Sequence, residues 1–228
     1  MAWTEQNDRT TIVRQLERRD LRFAADLHAA ALPDGFFPRL GTGFLRTYYE
    51  SFASSPTGVA LVAEVDGSPV GALVGTTDDA AHYRFVTRTS GWRLGFRALA
   101  ALLARPRLLL WFTRHRAARY CRGAVRLVRS RRHPGGSPPA REHEIIGKLT
   151  HVAVLAERRS SGAGAALVER FTELATAAAC DRLVVVTRAG PASKAAFYQR
   201  CGWERAGTAT DLDGVPFDRL ELNPSPPR

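Results

Sequence analysis

The segment RRSSGAGAAL, Arg158 to Leu167, joins an apolar run, LTHVAVL, to a helical pattern, VERFTELATAAA. A glycine-rich turn from a strand into a helix offers unpaired backbone N–H groups and the positive end of a helix dipole, a setting that holds phosphate. Gly162 and Gly164 remove the Cβ atoms that would keep a ligand off the backbone, and Arg159 adds positive charge. Two phosphate motifs are excluded. No GxxxxGK[ST] string occurs, so this is not a P-loop. A dinucleotide fingerprint fails twice: Leu167 stands where the third glycine belongs, and the next strand ends in Thr187-Arg188 rather than an acidic residue. What remains is an R-x-x-G-x-G turn from Arg159 to Gly164.

The elements that must position this turn read as an alternation of strands and helices. TTIVRQL is a strand, and RDLRFAADLHAAAL places Leu21, Ala24, Ala25 and His28 on one helical face behind a possible Asp20 cap. LPDGFFPRLG is a turn-rich loop, followed by TGFLRTYYESFASS with Phe44, Leu45, Tyr48 and Phe52 on one helical face. GVALVAEV and SPVGALVG flank Asp66-Gly67, a hairpin signal. EIIGKLTHVAVL is a strand, and Leu167, Phe171, Leu174 and Ala178 form the buried stripe of the helix after the turn. DRLVVVT is a buried strand, PASKAAFYQR a short helix stopped by Gly202, and the last stretch two strands about Asp213-Gly214. The chain of 228 residues reads as one domain over 1–222, interrupted at about 80–141, with a disordered tail at 223–228.

Composition narrows the setting. The polar N-terminus has no apolar signal-peptide region, and LLLWF is far too short to span a membrane. Three widely spaced cysteines without a CxxC read as free thiols in a reducing compartment, which makes a cytoplasmic protein without a metal site the expectation.

The R-x-x-G-x-G turn after its strand resembles the acyl-CoA-binding motif of the GNAT superfamily of N-acyltransferases. Val154 stands five residues before Arg159, as at the family's strand-to-loop junction, and AFYQRCGW resembles the family's closing pattern of tyrosine, glycine and an aromatic. The order of elements in both flanks matches as well. The resemblance implies an α/β fold with a mixed, mostly antiparallel twisted sheet flanked by helices. It implies acetyl-CoA, or a longer acyl-CoA, held by Arg159, Ser160, Ser161, Gly162, Ala163, Gly164 and Ala165. Backbone groups of Val152 and Val154 would pair with pantetheine where two central strands part. Tyr198 falls on the tyrosine that commonly protonates the departing thiolate. Phe36 and Phe37 fall where the family shapes its acyl and acceptor pocket. An asparagine usually stands seven residues before the tyrosine, where this chain has Pro191.

Family members often carry a Glu or His base on the motif strand, because an ammonium acceptor must lose a proton before attack. Strand alternation places Lys148, Thr150, Val152 and Val154 on the facing side, with no obvious base among them. Glu144 shares their parity from farther off and ranks first. His151, expected on the opposite face between Leu149 and Ala153, ranks second, and a water relay is the remaining route.

The charge is concentrated. From Ala80 to Arg141 there are 15 arginines and no acidic residue, against a net +11 for the whole chain, so the flanks are on balance acidic. GWRLGFRALAALLAR aligns Trp92, Phe96, Leu99 and Leu103 on one helical stripe, and a second helix from Pro106 would carry Arg119, Arg122, Arg126 and Arg129 on a shared face. This basic helical insertion, between the hairpin and the motif strand, has four readings: a helical hairpin with a solvated face, a pocket cover receiving an acidic carrier protein or anionic substrate, an amphipathic element on an anionic membrane, or a nucleic-acid binder. The last is least favoured, since aromatics are not interleaved along the arginine face. The functional expectation is an N-acyltransferase, most simply an N-acetyltransferase, joining acyl-CoA to a small-molecule or peptide amine in a ternary complex. The alternative is a catalytically impaired protein of the same fold that binds a partner through the insertion.

Overall fold

A computed structural model describes residues 11–33, 35–115, 144–191, 193–210 and 214–224. The chain runs β1 (Thr11–Gln15), α1 (Leu21–Ala31), α2 (Phe36–Arg39), α3 (Thr42–Ala53), β2 (Gly58–Val65), β3 (Ser68–Thr76), then α4 (Asp79–Thr89), α5 (Gly91–Leu103) and α6 (Pro106–His115). It continues with β4 (Ile146–Val154), α7 (Ala163–Ala177), β5 (Arg182–Arg188), α8 (Ala195–Arg200), β6 (Glu204–Thr210) and β7 (Pro216–Leu222). The seven strands form one sheet in the order β1-β2-β3-β4-β5-β7-β6, antiparallel except for β4 and β5.

The apolar patterns account for the layers. Leu167, Phe171 and Ala175 of α7 are fully buried against Leu61, Leu73, Leu149 and Leu183 on one face of the sheet. On the other face Ala24, Leu27, Tyr49 and Phe52 of α1 and α3 cover Val62, Ala72 and Val74. A third cluster joins Leu40 and Phe44 to Ala101, Leu102 and Leu108, so α5 and α6 pack behind α3. The β2–β3 hairpin turns on Asp66 and Gly67, both at positive φ (53° and 70°), as a two-residue type I′ turn requires.

Two irregularities in β4 decide where the site lies. Pairing with β5 runs only from Ile146 to Leu149, whereas β5 goes on to pair with β7 as far as Arg188. The two strands therefore part after Leu149. Beside that point, Val74 of β3 pairs with His151 while Gly75 pairs with Leu149, so Thr150 is the extra residue of a β-bulge. A Cβ on Gly75 would stand 2.6 Å from Phe171 Cε2 and 2.7 Å from the Lys148 carbonyl oxygen. Glycine lets α7 press onto the sheet beside the bulge.

Several expectations need correction. Asp20 does not cap α1 through its side chain; that carboxylate accepts from the Glu17 N–H at 2.8 Å and from Arg14 at 2.6 and 2.8 Å. The loop LPDGFFPRLG contains the short helix α2, and Ala175, not the exposed Ala178, closes the buried stripe of α7. In the basic segment an unexpected helix, α4, precedes α5. The aligned side chains Trp92, Phe96, Leu99 and Leu103 face solvent, because the smaller residues Ala98, Ala101 and the adjacent Leu102 make the close contact with α3. The expected arginine face at 119–129, Asp213 of the final turn and Cys121 lie outside the described residues, whereas Gly214 is described, at φ 76°.

Candidate active site

The glycine turn has the geometry and charge that suit an anion. Gly162 is the N-cap of α7 at φ +84°, in the left-handed region that glycine occupies without strain, and nothing lies within 4 Å of where its Cβ would be. Ser160 is also left-handed, at φ 67°. Ala163 N–H meets only the Ser161 Oγ, at 3.5 Å, so the first turn of α7 presents its N–H groups outward. Arg159 is exposed beside them without an acidic partner among the described residues. Ser160, Ser161, Gly162 and Ala165 are exposed too, while Ala163 is buried. Gly164 differs from Gly162: a Cβ there would touch Phe197 at 3.5 Å and Val154 at 3.6 Å, ordinary contact distances. Its reason is the space between turn, strand and α8 rather than backbone conformation.

The parted strands supply a second surface. The Leu155 N–H donates to the Val70 carbonyl on β3 at 2.8 Å. Backbone alternation then turns the polar groups of Val152 and Val154 away from β3, into the gap left by β5. Their side chains pack on the α7 side of the sheet. Free edge N–H and C=O groups, a glycine-capped helix end and an unpaired arginine together fit a pantetheine pyrophosphate.

The bulge changes which side chains share a face. Lys148, Thr150 and His151 line one cavity, together with Glu144 and Ile146, opposite the face of Leu149, Val152 and Val154. His151 is thus on the cavity side with Lys148, contrary to simple alternation, because Thr150 is an extra residue. Its ring lies 4.3 Å, centroid to centroid, from that of buried His28 and 5.9 Å from Tyr48. His28 Nδ1 lies 3.2 Å from the Tyr49 hydroxyl. Burial pushes the His28 imidazole down to about 4, and burial with His28 and Lys148 nearby pushes His151 down to about 3. Both are neutral at physiological pH. Glu144 sits at the cavity's edge in an ion pair with Arg182 at 2.7 Å. His28 was the residue hardest to recognise from sequence: its only signal was a histidine on an otherwise apolar helical stripe.

The cavity, of about 950 Å³, lies between α2, α3, α4, α5 and β4. Phe36 and Phe37 form part of its wall, stacked or tilted against Phe112, Phe44 and Tyr48 at 5.0–5.7 Å. Phe52, Leu94, Ala98 and Leu102 extend the apolar lining, and Asp78, Asp79 and His82 at the start of α4 bring the polar groups. Asp78 is occupied in capping α4, accepting from the Ala81 N–H at 2.8 Å. Tyr198 is not part of this wall. It is buried on α8, edge-on to Phe197 and Trp203, and burial, helped by Cys201, raises its hydroxyl well above the ordinary phenolic range.

A mixed sheet splayed between two central strands, with a glycine-capped helix at the splay, is a frame this chain shares with a family of acetyltransferases. The chain belongs to the acetyltransferase (GNAT) family, whose model matches residues 24–203. Acetyl-CoA is the cofactor of this family. Among solved structures, the chain is similar to an N-acetyltransferase from Staphylococcus aureus Mu50 (14% identity, TM-score 0.58, covering 95% of this chain and 99% of that one). It is also similar to an aminoglycoside 6'-N-acetyltransferase complexed with coenzyme A (10% identity, TM-score 0.56, 95% and 99% covered). A ribosomal-protein-alanine N-acetyltransferase from Brucella melitensis matches at 14% identity and TM-score 0.55, over 93% and 99%. At these identities the likeness establishes the fold. No curated protein matches the chain significantly.

Proposed function

We propose that this protein is an acetyl-CoA-dependent N-acetyltransferase whose acceptor is an apolar, ring-bearing or long-chain amine seated in the aromatic cavity. The observation that carries this reading is the cavity itself, lined by Phe36, Phe37 and Tyr48 and reaching β4 at His151, where the strand leaves β5. When bound, acetyl-CoA supplies an acyl group activated as a thioester. Arg159 and the first N–H groups of α7 hold the anionic end, and the free edge of Val152 and Val154 orients the rest. His151 receives the amine's proton and outranks Glu144, which Arg182 holds at the cavity's edge. The lowered value makes His151 a weak base, so it acts on an amine that is already neutral and takes the proton only as the N–C bond forms. The burial that keeps His28 and His151 neutral also favours the neutral, nucleophilic amine. Burial keeps the proton on Tyr198 Oη, as the acid for the departing thiolate in this reading requires. Free Cys180 and half-buried Cys201 suit a reducing, cytoplasmic setting.

The test is release of CoA thiol from acetyl-CoA with a panel of primary amines. Benzylic and alkyl amines should be preferred over hydrophilic polyamines, and Phe37→Ala should raise KM for them. Acetylation confined to hydrophilic polyamines would remove the cavity from the acceptor role. The apolar lining also favours a second reading, a long acyl chain in the same cavity. Stronger thermal stabilisation by palmitoyl-CoA than by acetyl-CoA would establish it. The catalytically impaired alternative predicts no thiol release with any amine. At the basic segment, an acidic carrier protein and an anionic surface both match the charge.

A further inference from the structure

Helix α5 has two apolar faces. The inner one, through Ala98, Ala101 and Leu102, packs on Leu40 and Phe44 and lines the cavity. The outer one consists of Trp92, Phe96, Leu99 and Leu103, which are 73, 68, 53 and 64% exposed. Tyr83 on α4 and Leu110 on α6 are exposed as well. Scattered exposed apolar residues are ordinary, but a row of large ones along a whole helix marks a contact surface.

The charge of the segment that carries the row indicates what it meets. From Ala80 to Arg141 the chain has 15 arginines and no Asp or Glu. Arg84, Arg88, Arg107 and Arg114 are exposed and have no ion pair among the described residues. Nucleic acid would satisfy the arginines but leave Leu99 and Leu103 in water, since they offer no ring for a base to stack on. An anionic bilayer satisfies both groups: Trp, Phe and Leu enter the headgroup–acyl boundary while arginines meet the lipid phosphates. At 13 residues α5 is too short to span, and no described helix is long and apolar enough to do so. We propose that α5 docks on an anionic phospholipid surface, lying in its plane with the Trp92–Leu103 stripe inserted and the arginines of α4 to α6 around it.

The experiment is co-sedimentation of the full chain with vesicles of phosphatidylcholine, alone or mixed with phosphatidylglycerol, at low and high salt. Wild type should bind the mixed vesicles about tenfold or more tightly than the neutral ones, and added salt should weaken that binding. Phe96→Asp with Leu99→Asp should lower vesicle binding by at least about tenfold. These positions are exposed, so the variant's melting temperature and acetyl-CoA affinity should stay as in wild type. Absence of vesicle sedimentation, or equal sedimentation with neutral vesicles, would overturn the proposal. So would concentration-dependent dimerisation in light scattering that the double variant abolishes, since a second copy would then occupy the stripe. Tight binding to an acidic protein or RNA, without vesicle binding, would reassign the surface to that partner.

Discussion

The proposed cofactor side and the proposed acceptor side of the site are built on different principles. The first is mostly local: Arg159 to Ala165 follow one another at one glycine-capped helix end, and the edge of Val152 and Val154 lies just before them on β4. The second is assembled from three distant stretches, around Phe36 to Phe52, Asp78 to Phe112 and Glu144 to His151. A local motif tolerates change elsewhere in the chain. An assembled cavity depends on every packing contact that brings its walls together, so substitutions should separate the two sides cleanly.

The largest effect is expected at the turn. Gly162→Val forces a β-branched residue into φ +84° and should weaken acetyl-CoA binding by about a hundredfold or more, measured by calorimetry. Gly67→Val is the matching control, since Gly67 has φ +70° with equally open space in the hairpin. It should cost stability without touching cofactor affinity. Next, His151→Gln should lower kcat/KM for the acceptor by about a hundredfold and leave acetyl-CoA binding intact. Glu144→Gln should change it far less; the reverse order would return the base to the cavity edge.

Gly75→Ala should destabilise the fold by about 1–3 kcal/mol, because Phe171 and the Lys148 carbonyl occupy the space. Denaturant midpoints would show it. Tyr198→Phe should reduce kcat about tenfold or somewhat more with little change in stability, removing only the hydroxyl proton. The smallest effect near neutrality concerns pH. His28 and His151 have folded-state values below the unfolded 6.5. The unfolded chain therefore binds more protons as pH falls, and stability present above about 6.5 is lost progressively down to about 4 and 3. The double variant His28→Gln, His151→Gln should flatten that acid limb.

How much could be seen in advance follows the same division. The Asp66-Gly67 hairpin, the α3 face with Phe44 and Phe52, and the glycine turn are written in short-range patterns, and each is where the sequence placed it. Phe36 and Phe37 do line the cavity, although the loop that carries them is partly helical. The orientation of His151 was not legible, because the Thr150 bulge shifts strand parity by one residue and no composition rule marks it. The pairing of His28 with His151 joins positions far apart in the chain, and periodicity saw His28 only as part of a buried face. The stripe of Trp92, Phe96, Leu99 and Leu103 on α5 was legible, but not the side it faces: α3 accepts the face with smaller residues and leaves the large ones exposed.

The central claim is that the α7 turn and the parted strands hold acetyl-CoA beside the aromatic cavity. Titration of the full chain with acetyl-CoA, followed by calorimetry, tests it most directly. The account predicts saturable binding at one site per chain, lost in Gly162→Val and retained in Gly67→Val. Absence of binding by wild type, or undiminished binding by Gly162→Val, would contradict it.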